Sequence, residues 1–225
     1  MTFSLIARCP GTRMLGIATA TRSYNVGARV PHAGSRLGVI AVMARADARI
    51  GHFGMSLLRQ GCKAHHVLER MVANDPWPER RQLGVIDDDG NIALRTGGEI
   101  DGWAGHNDHG TYATLGNVLP GPETLDAMHE GFAATGHQPF EERLMTALEK
   151  GRDAGGQIGG QVSAALLVYG EDSFARIDLR VDQHDEPVGE LRRVFETYRP
   201  YIPYYVQRQR DPRIGGWFEW QPDDD

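Results

Sequence analysis

Apolar residues recur along this chain in two kinds of pattern, and their order predicts the architecture. Near the start, Phe3 to Ala7, Met14 to Ala20 and Leu37 to Met43 are almost unbroken apolar runs. Short runs of this kind predict strands buried on both faces. Pro10-Gly11 supplies a turn, and the three strands together predict a β-meander. The intervening segment from Arg22 to Arg36, RSYNVGARVPHAGSR, is polar and glycine-containing, which predicts a long loop of the kind that often carries function. Next, Met55-Leu57-Leu58 and Val67-Leu68-Met71-Val72 fall at helical spacing, with Gly61 as the stop between them and Asn74-Asp75-Pro76 ending the second. Leu83 to Asp87 and Asn91 to Arg95 flank Asp89-Gly90, the clearest hairpin signal in the chain. A strand at Tyr112 to Asn117 precedes a second helical pair. Its members carry Leu125, Met128 and Phe132, then Phe140, Leu144, Ala147 and Leu148, and Gly151 closes it. The glycine loop AGGQIGGQ (154–161) leads into strands at Ser163 to Tyr169 and Phe174 to Val181, and a helix follows over about Pro187 to Tyr198.

Strands therefore cluster as hairpins and helices come in pairs, unlike the regular alternation of a parallel βαβ sheet. Two antiparallel sheets packed face to face, with helices outside each, bury every one of these runs. The expected class is α+β, a four-layer αββα sandwich, formed by one domain over residues 1–198. Residues 199–225 are different in kind. With Tyr198 they hold seven of the chain's 18 aromatic residues, interrupted by prolines and without helical or strand period. This extension is expected to lie extended over its own subunit or a neighbour, which favours a homo-oligomer.

Composition narrows the function. The formal charge of −6 gives no basic face for nucleic acid. The 28 glycines in 225 residues, about one in eight against roughly one in fourteen typically, suit tight turns and close backbone approach. The opening MTFSLIARCP lacks the apolar stretch of a signal peptide, and no run approaches the ~18 apolar residues of a membrane span. Cys9 and Cys62 form no disulfide framework and no metal spacing. The expectation is a cytoplasmic protein with reduced thiols, acting on a small molecule without metal or cofactor.

The sharpest chemistry is at the start. Thr2 follows the initiator methionine, a context in which Met1 is commonly removed. Thr2 would then carry a hydroxyl nucleophile and a free α-amine on one residue. The amine titrates near ~7.7–8.0, so a large share is neutral at pH 7–8 and can accept the hydroxyl proton. This is an activated nucleophile of the Thr–N-terminal-amine kind. Thr2 also opens a strand expected to be buried, whereas chain termini normally lie at the surface.

The opening MTFSLIARCPGTRMLGIATATR resembles the N-terminal-nucleophile (Ntn) hydrolases, the class that includes proteasome β-subunits. More specifically, residues 2–197 resemble a bacterial family catalogued as domain of unknown function 1028. The motifs that carry this are MTFS, GIATATR, VPHAG, RQLGVID, the TGG–WAGH stretch, GNVLPGPE, AGG, SAALLV and DLRVDQH. The resemblance implies the αββα fold with its first mature residue in a catalytic cleft. Three departures stand out. Ala20 occupies the place of an aspartate in proteasome-type enzymes, their catalytic lysine has no counterpart nearer than His32, and Gln157 to Gln161 replace an acid and cations usual in the glycine loop.

Around Thr2 the candidate set is small. His32 either tunes the Thr2 amine or contacts substrate, or else it bonds backbone as a loop histidine. Arg22, at a strand end, either anchors a substrate carboxylate or forms an internal ion pair. Asn117 either donates to an oxyanion, together with main-chain N–H groups of the glycine loop near Gly160, or simply forms a turn. By the resemblance, Ser163 completes a polar cluster with Thr2. A rival set of metal ligands, His106, Asp108 and His109, with Asp182, His184 and Asp185, lies in segments whose spacing does not fix a geometry. The expected function is hydrolysis of a small amide or acyl compound through an acyl-enzyme on Thr2. The alternative is a non-catalytic scaffold that binds a metabolite or assembles.

Overall fold

A computed structural model describes residues 1–220. In chain order its strands and helices begin with β1 (Thr2–Arg8), β2 (Leu15–Thr21), β3 (Pro31–Gly34) and β4 (Gly38–Ala44). Then come α1 (Ala48–Arg59), α2 (Ala64–Ala73), β5 (Arg81–Asp87), β6 (Ile92–Thr96), β7 (Trp103–Asp108) and β8 (Tyr112–Leu119). Helices α3 (Glu123–Ala134) and α4 (Phe140–Asp153) precede β9 (Ser163–Tyr169), β10 (Ala175–Val181), α5 (Pro187–Tyr198) and α6 (Ile202–Arg210).

Hydrogen bonding sorts the strands into a six-stranded sheet, β10-β9-β2-β1-β8-β7, and a four-stranded sheet, β3-β4-β5-β6. Every pairing is antiparallel. Three apolar clusters mark the layers. Phe3, Leu5 and Ala7 pack with α3, α4 and α5 outside the larger sheet. Ile6, Ile17, Val39, Ile86 and Leu115 meet between the sheets. Ile40, Val42, Leu83 and Val85 pack under α1 and α2. The αββα sandwich is therefore the observed fold, and the alternation along β1 (Phe3 and Leu5 out, Ile6 in) builds it.

Local chemistry sets the element ends. Asp47 caps α1, its carboxylate accepting from the Arg49 N–H at 3.0 Å. Asp87 holds the β5–β6 turn through the Asn91 N–H (3.0 Å) and also receives the Ala64 N–H at the start of α2 (3.0 Å). One carboxylate thus joins the hairpin to a helix. Gly90 has φ 93°, the left-handed conformation this turn needs.

Four expectations need correction. The first three predicted strands do not form one meander: β1 and β2 belong to the larger sheet and β4 to the smaller. A strand buried on both faces looks the same in sequence whichever sheet receives it. The predicted loop from Arg22 to Arg36 contains a 3₁₀ turn at Val26–Ala28 and the edge strand β3, which its proline and glycine disguise. Strand β7 was not expected, because its residues are half-exposed at an edge and show no clean alternation. Gly151 does not end a helix. It lies inside α4, where a Cβ would stand 2.6 Å from Met128 Cγ on α3, so the residue allows the two helices to approach closely.

The C-terminal extension also differs from its expected extended form, since Ile202–Arg210 is helical with Pro203 in the first turn, where its missing N–H costs nothing. Ile202 joins the core under α5, and the Tyr204 hydroxyl donates to Gly215 O at 2.9 Å. Residues 221–225 of the extension lie outside the described residues.

Gln82 ties the two sheets together at one end. Gln82, on β5 and wholly buried, donates from Nε2 to the carbonyls of Gly105 on β7 and Gly116 on β8, both at 2.9 Å. Its Oε1 accepts from Asn117 Nδ2 at 2.9 Å. Gln82→Leu would leave these buried groups unpaired, at about 1–3 kcal/mol for each one stranded. The expected result is a loss of about 3 kcal/mol or more in urea denaturation, and a loss below about 1 kcal/mol would contradict the bridge.

Candidate functional site

Alternation along β1 directs Thr2 and Ser4 into the space between the sheets, on the side of Ile6. Register then lines up their neighbours. Thr2 pairs with Thr21 on β2 and with Asn117 on β8, while Thr21 pairs with Ser163 on β9. Directly paired residues present their side chains on one face, so Ser163, Thr21, Thr2 and Asn117 form a polar row across four strands. Below it, the Ser4 hydroxyl donates to Thr19 Oγ1 at 2.6 Å. The row sits where the apolar filling between the sheets gives out.

Met1 covers this row. The Thr2 hydroxyl donates to the Met1 carbonyl at 2.5 Å and lies 3.2 Å from Thr21 Oγ1, whose own hydroxyl donates to the same carbonyl. Thr2 is 4% exposed and Met1 40% exposed. Met1 opens onto a cleft of about 200 Å³ whose lining includes Ser23, Arg45, Arg80, Asp101 and Asn117. Ser163 does not reach into the cleft. Its hydroxyl donates to Ser23 O (2.6 Å) and accepts from the Val26 N–H (3.0 Å), which fixes the path of the chain beyond β2.

Two lining residues hold unusual backbone. Ala44 has φ 70° and Val118 has φ 56°. For a β-branched residue this is a genuine outlier, and such conformations persist only where the surroundings impose them. They stand directly beside Arg45, which follows the end of β4, and Asn117, which lies inside β8.

The glycine loop roofs the same end. Ile158 N–H donates to Val118 O at 3.2 Å, and a Cβ on Gly159 would stand 2.1 Å from Arg22 Nη1. The loop thus spans from the end of β8 to the end of β2, across the start of β1. Arg22 is exposed and lies along this roof. Gly160 closes a turn through its N–H to Gln157 O (3.1 Å) and faces open space. Gln157 is buried, and neither atom of its carboxamide has a partner among the described residues.

Gln82 also decides how Asn117 is turned. Two main-chain carbonyls fix the Gln82 amide nitrogen, so Gln82 Oε1 must accept, and the atom of Asn117 that meets it must be Nδ2. Asn117 Oδ1 is consequently an acceptor, buried and without a partner among the described residues. The α-amine of Met1 is held below the ordinary range for such a group, first by burial and then by the Arg45 guanidinium, with Asp101 opposing.

His32 is not part of this assembly. It pairs with Ile40, on the outer face of the four-stranded sheet, and its ring fills the space above Gly51 of α1. Strand alternation therefore carries it away from Thr2 and rules out the expected tuning of the Thr2 amine. His106 Nδ1 contacts Thr96 Oγ1 at 2.8 Å, whereas His109 stacks on His129 with centroids 4.1 Å apart. No group of three or more His, Cys, Asp or Glu is arranged to hold a metal ion among the described residues. No helix there is long and apolar enough to cross a membrane.

Residues that sequence reasoning missed are Arg45, Arg80, Asp101 and Gln82. Arg45 follows a strand end, the same signal that marked Arg22. Gln82 is a polar residue inside the apolar strand RQLGVID.

Burial moves the His32 pKa down from 6.5 to about 4, against the backbone contact with Arg29 O. The unfolded chain therefore binds a proton that the folded chain refuses between those values. The His32 contribution is whole above pH 6.5 and is lost as pH falls toward 4. Thermal melting across this window is expected to show a shallower acid decline for His32→Asn than for the parent chain.

Among known proteins, a model described as a family of unknown function (DUF1028) matches residues 2–191. The crystal structure of a protein of that family from Silicibacter pomeroyi is 32% identical, with 88% of each chain covered and a TM-score of 0.81. Anbu (ancestral beta-subunit) from Yersinia bercovieri covers 95% of this chain and 98% of its own at 10% identity and a TM-score of 0.42. Anbu from Hyphomicrobium sp. strain MC1 covers 96% and 99% at 11% identity and a TM-score of 0.40. No curated protein matches the chain. The chain belongs to the family of unknown function DUF1028.

Proposed function

We propose that this protein is an N-terminal-nucleophile amidohydrolase, in which removal of Met1 exposes Thr2 to a small amide or related acyl compound. The observation that carries this reading is the place of Thr2. It heads a central strand, and its hydroxyl is bonded to the carbonyl of Met1, which lines a polar cleft. Taking away Met1 joins the hydroxyl and a new α-amine to that cleft.

In this reading the Thr2 α-amine takes the hydroxyl proton as Oγ1 bonds to the substrate carbonyl carbon. The tetrahedral intermediate expels the amine of the substrate, which receives the proton, and leaves an ester on Thr2. Water, activated by the same amine, then releases the acid and restores the hydroxyl. Thr21 Oγ1, 3.2 Å from Thr2 Oγ1, keeps the hydroxyl oriented. Asn117 takes a different part from the oxyanion donor expected from sequence. Its unpartnered Oδ1 suits an N–H of the Thr2 amine, keeping the nitrogen lone pair directed at the hydroxyl. The Ile158 and Gly160 N–H groups are already bonded, which leaves other main-chain N–H groups of the glycine loop, such as that of Gly159, to face the oxyanion.

Intact-mass measurement of the purified chain is expected to show the loss of one methionine, and a chain that keeps Met1 would leave only a binding scaffold. Thr2→Ala should lower hydrolysis by more than about a thousandfold, with Thr2→Ser retaining part of it. Asn117→Asp places a negative charge beside the amine and raises its pKa. The acid limb of the kcat/KM profile should therefore move to higher pH, and an unmoved limb would remove Asn117 from the amine.

A further inference from the structure

The cleft walls also bear on what enters. Its volume of about 200 Å³ lies below the roughly 300–1,000 Å³ of sites for drug-sized ligands, so a small molecule fits. Two arginines line it, and they differ. Arg80 is already held by Glu99, Nε to Oε2 at 2.9 Å. Arg45 has no hydrogen-bonded acid among the described residues. Its nearest carboxylate oxygen, on Asp101, is 4.0 Å away, beyond hydrogen-bond range, and the two side chains are 74% and 90% exposed. Such a contact holds neither group firmly.

The backbone of Arg45 is nevertheless fixed. Its N–H donates to Arg80 O at 3.3 Å, and the preceding Ala44 is in the left-handed conformation. A strained turn thus delivers an unengaged guanidinium to the cleft that Met1 closes. The guanidinium also lies near enough to the terminal amine to disfavour its charged form. Most other arginines in the structure are spoken for, as with Arg81 on Asp75 at 2.8 Å and Arg192 on Glu149 at 2.7 Å.

We propose that the substrate is a small acyl compound bearing a free carboxylate, and that Arg45 receives this carboxylate through its paired N–H donors while the scissile carbonyl lies over Thr2. The inference rests on the N-terminal-nucleophile reading of the same cleft. Arg45 is then a specificity-determining residue, and Asp101 weakens anion binding by its neighbouring charge.

The test uses the full chain freed of Met1 by cleaving a fusion directly before Thr2, with succinate as the probe in titration calorimetry. Arg45→Gln is expected to weaken succinate binding about tenfold to a hundredfold, the range of a lost charge-assisted hydrogen bond. Asp101→Asn is expected to tighten it. Opposite signs at two exposed positions, with melting temperatures unchanged, are not produced by a general structural defect. Failure of the parent chain to bind succinate, or equal affinity in Arg45→Gln, overturns the proposal. Hydrolysis separates it from the reading beneath it. Equal rates on succinyl- and butyryl-4-nitroanilide would remove the carboxylate preference and leave the Thr2 nucleophile standing. Succinate binding with both expected signs, but no turnover of either anilide, would retain the anion site and count against the nucleophile.

Discussion

The structure depends on the main-chain hydrogen bonds that hold β1 between β2 and β8. Because both edges of this strand are paired, its first residue is fixed in the interior of a sheet instead of fraying at the surface. Everything at the candidate site follows from that register. Thr21 and Asn117 flank Thr2 because they are its paired residues, and Ser163 extends the row because it pairs with Thr21. A slip of one residue would turn Thr2 toward the helices and place Phe3 between the sheets.

Polar groups at the end of the sandwich are arranged in two grades. Some, Ser4 with Thr19 and Gln82 with the carbonyls of β7 and β8, are satisfied and hold the layers together. Others are not. Asn117 Oδ1 and the Gln157 carboxamide are buried without partners among the described residues, and Ala44 and Val118 hold left-handed backbone at the cleft wall. Unsatisfied groups and strained backbone each cost free energy, and Asn117, Ala44 and Val118 bring both to the wall of this cleft.

The electrostatics fit the same picture. An acidic chain places two arginines and an asparagine around its own terminus, and ion pairs engage many of its other arginines. Burial and Arg45 together favour the neutral form of the Met1 amine. Within the four-stranded sheet, His32 undergoes the same desolvation but serves packing against α1, so a shifted pKa by itself does not mark a member of the site.

Sequence alone determined most of the element types and the two-sheet class, and it singled out Thr2 as a candidate, because hydrophobic period, turn chemistry and a terminal hydroxyl are local properties. Asp89-Gly90 specified its hairpin, and the spacing of Leu125, Met128 and Phe132 specified a helix. It did not determine which sheet received β4, that PHAG forms an edge strand, or that the aromatic extension turns helical at Ile202. Those outcomes depend on pairing and burial between distant segments, which periodicity does not encode. The site divides in the same way. Thr2, Asn117, Ser163 and Arg22 were visible at strand ends, whereas Arg45 and Asp101 joined Met1 and Asn117 at the cleft, and Gln82 met Asn117, only through the tertiary structure. His32 shows the converse: a histidine attractive in sequence was carried to the opposite face by the alternation of a four-residue strand.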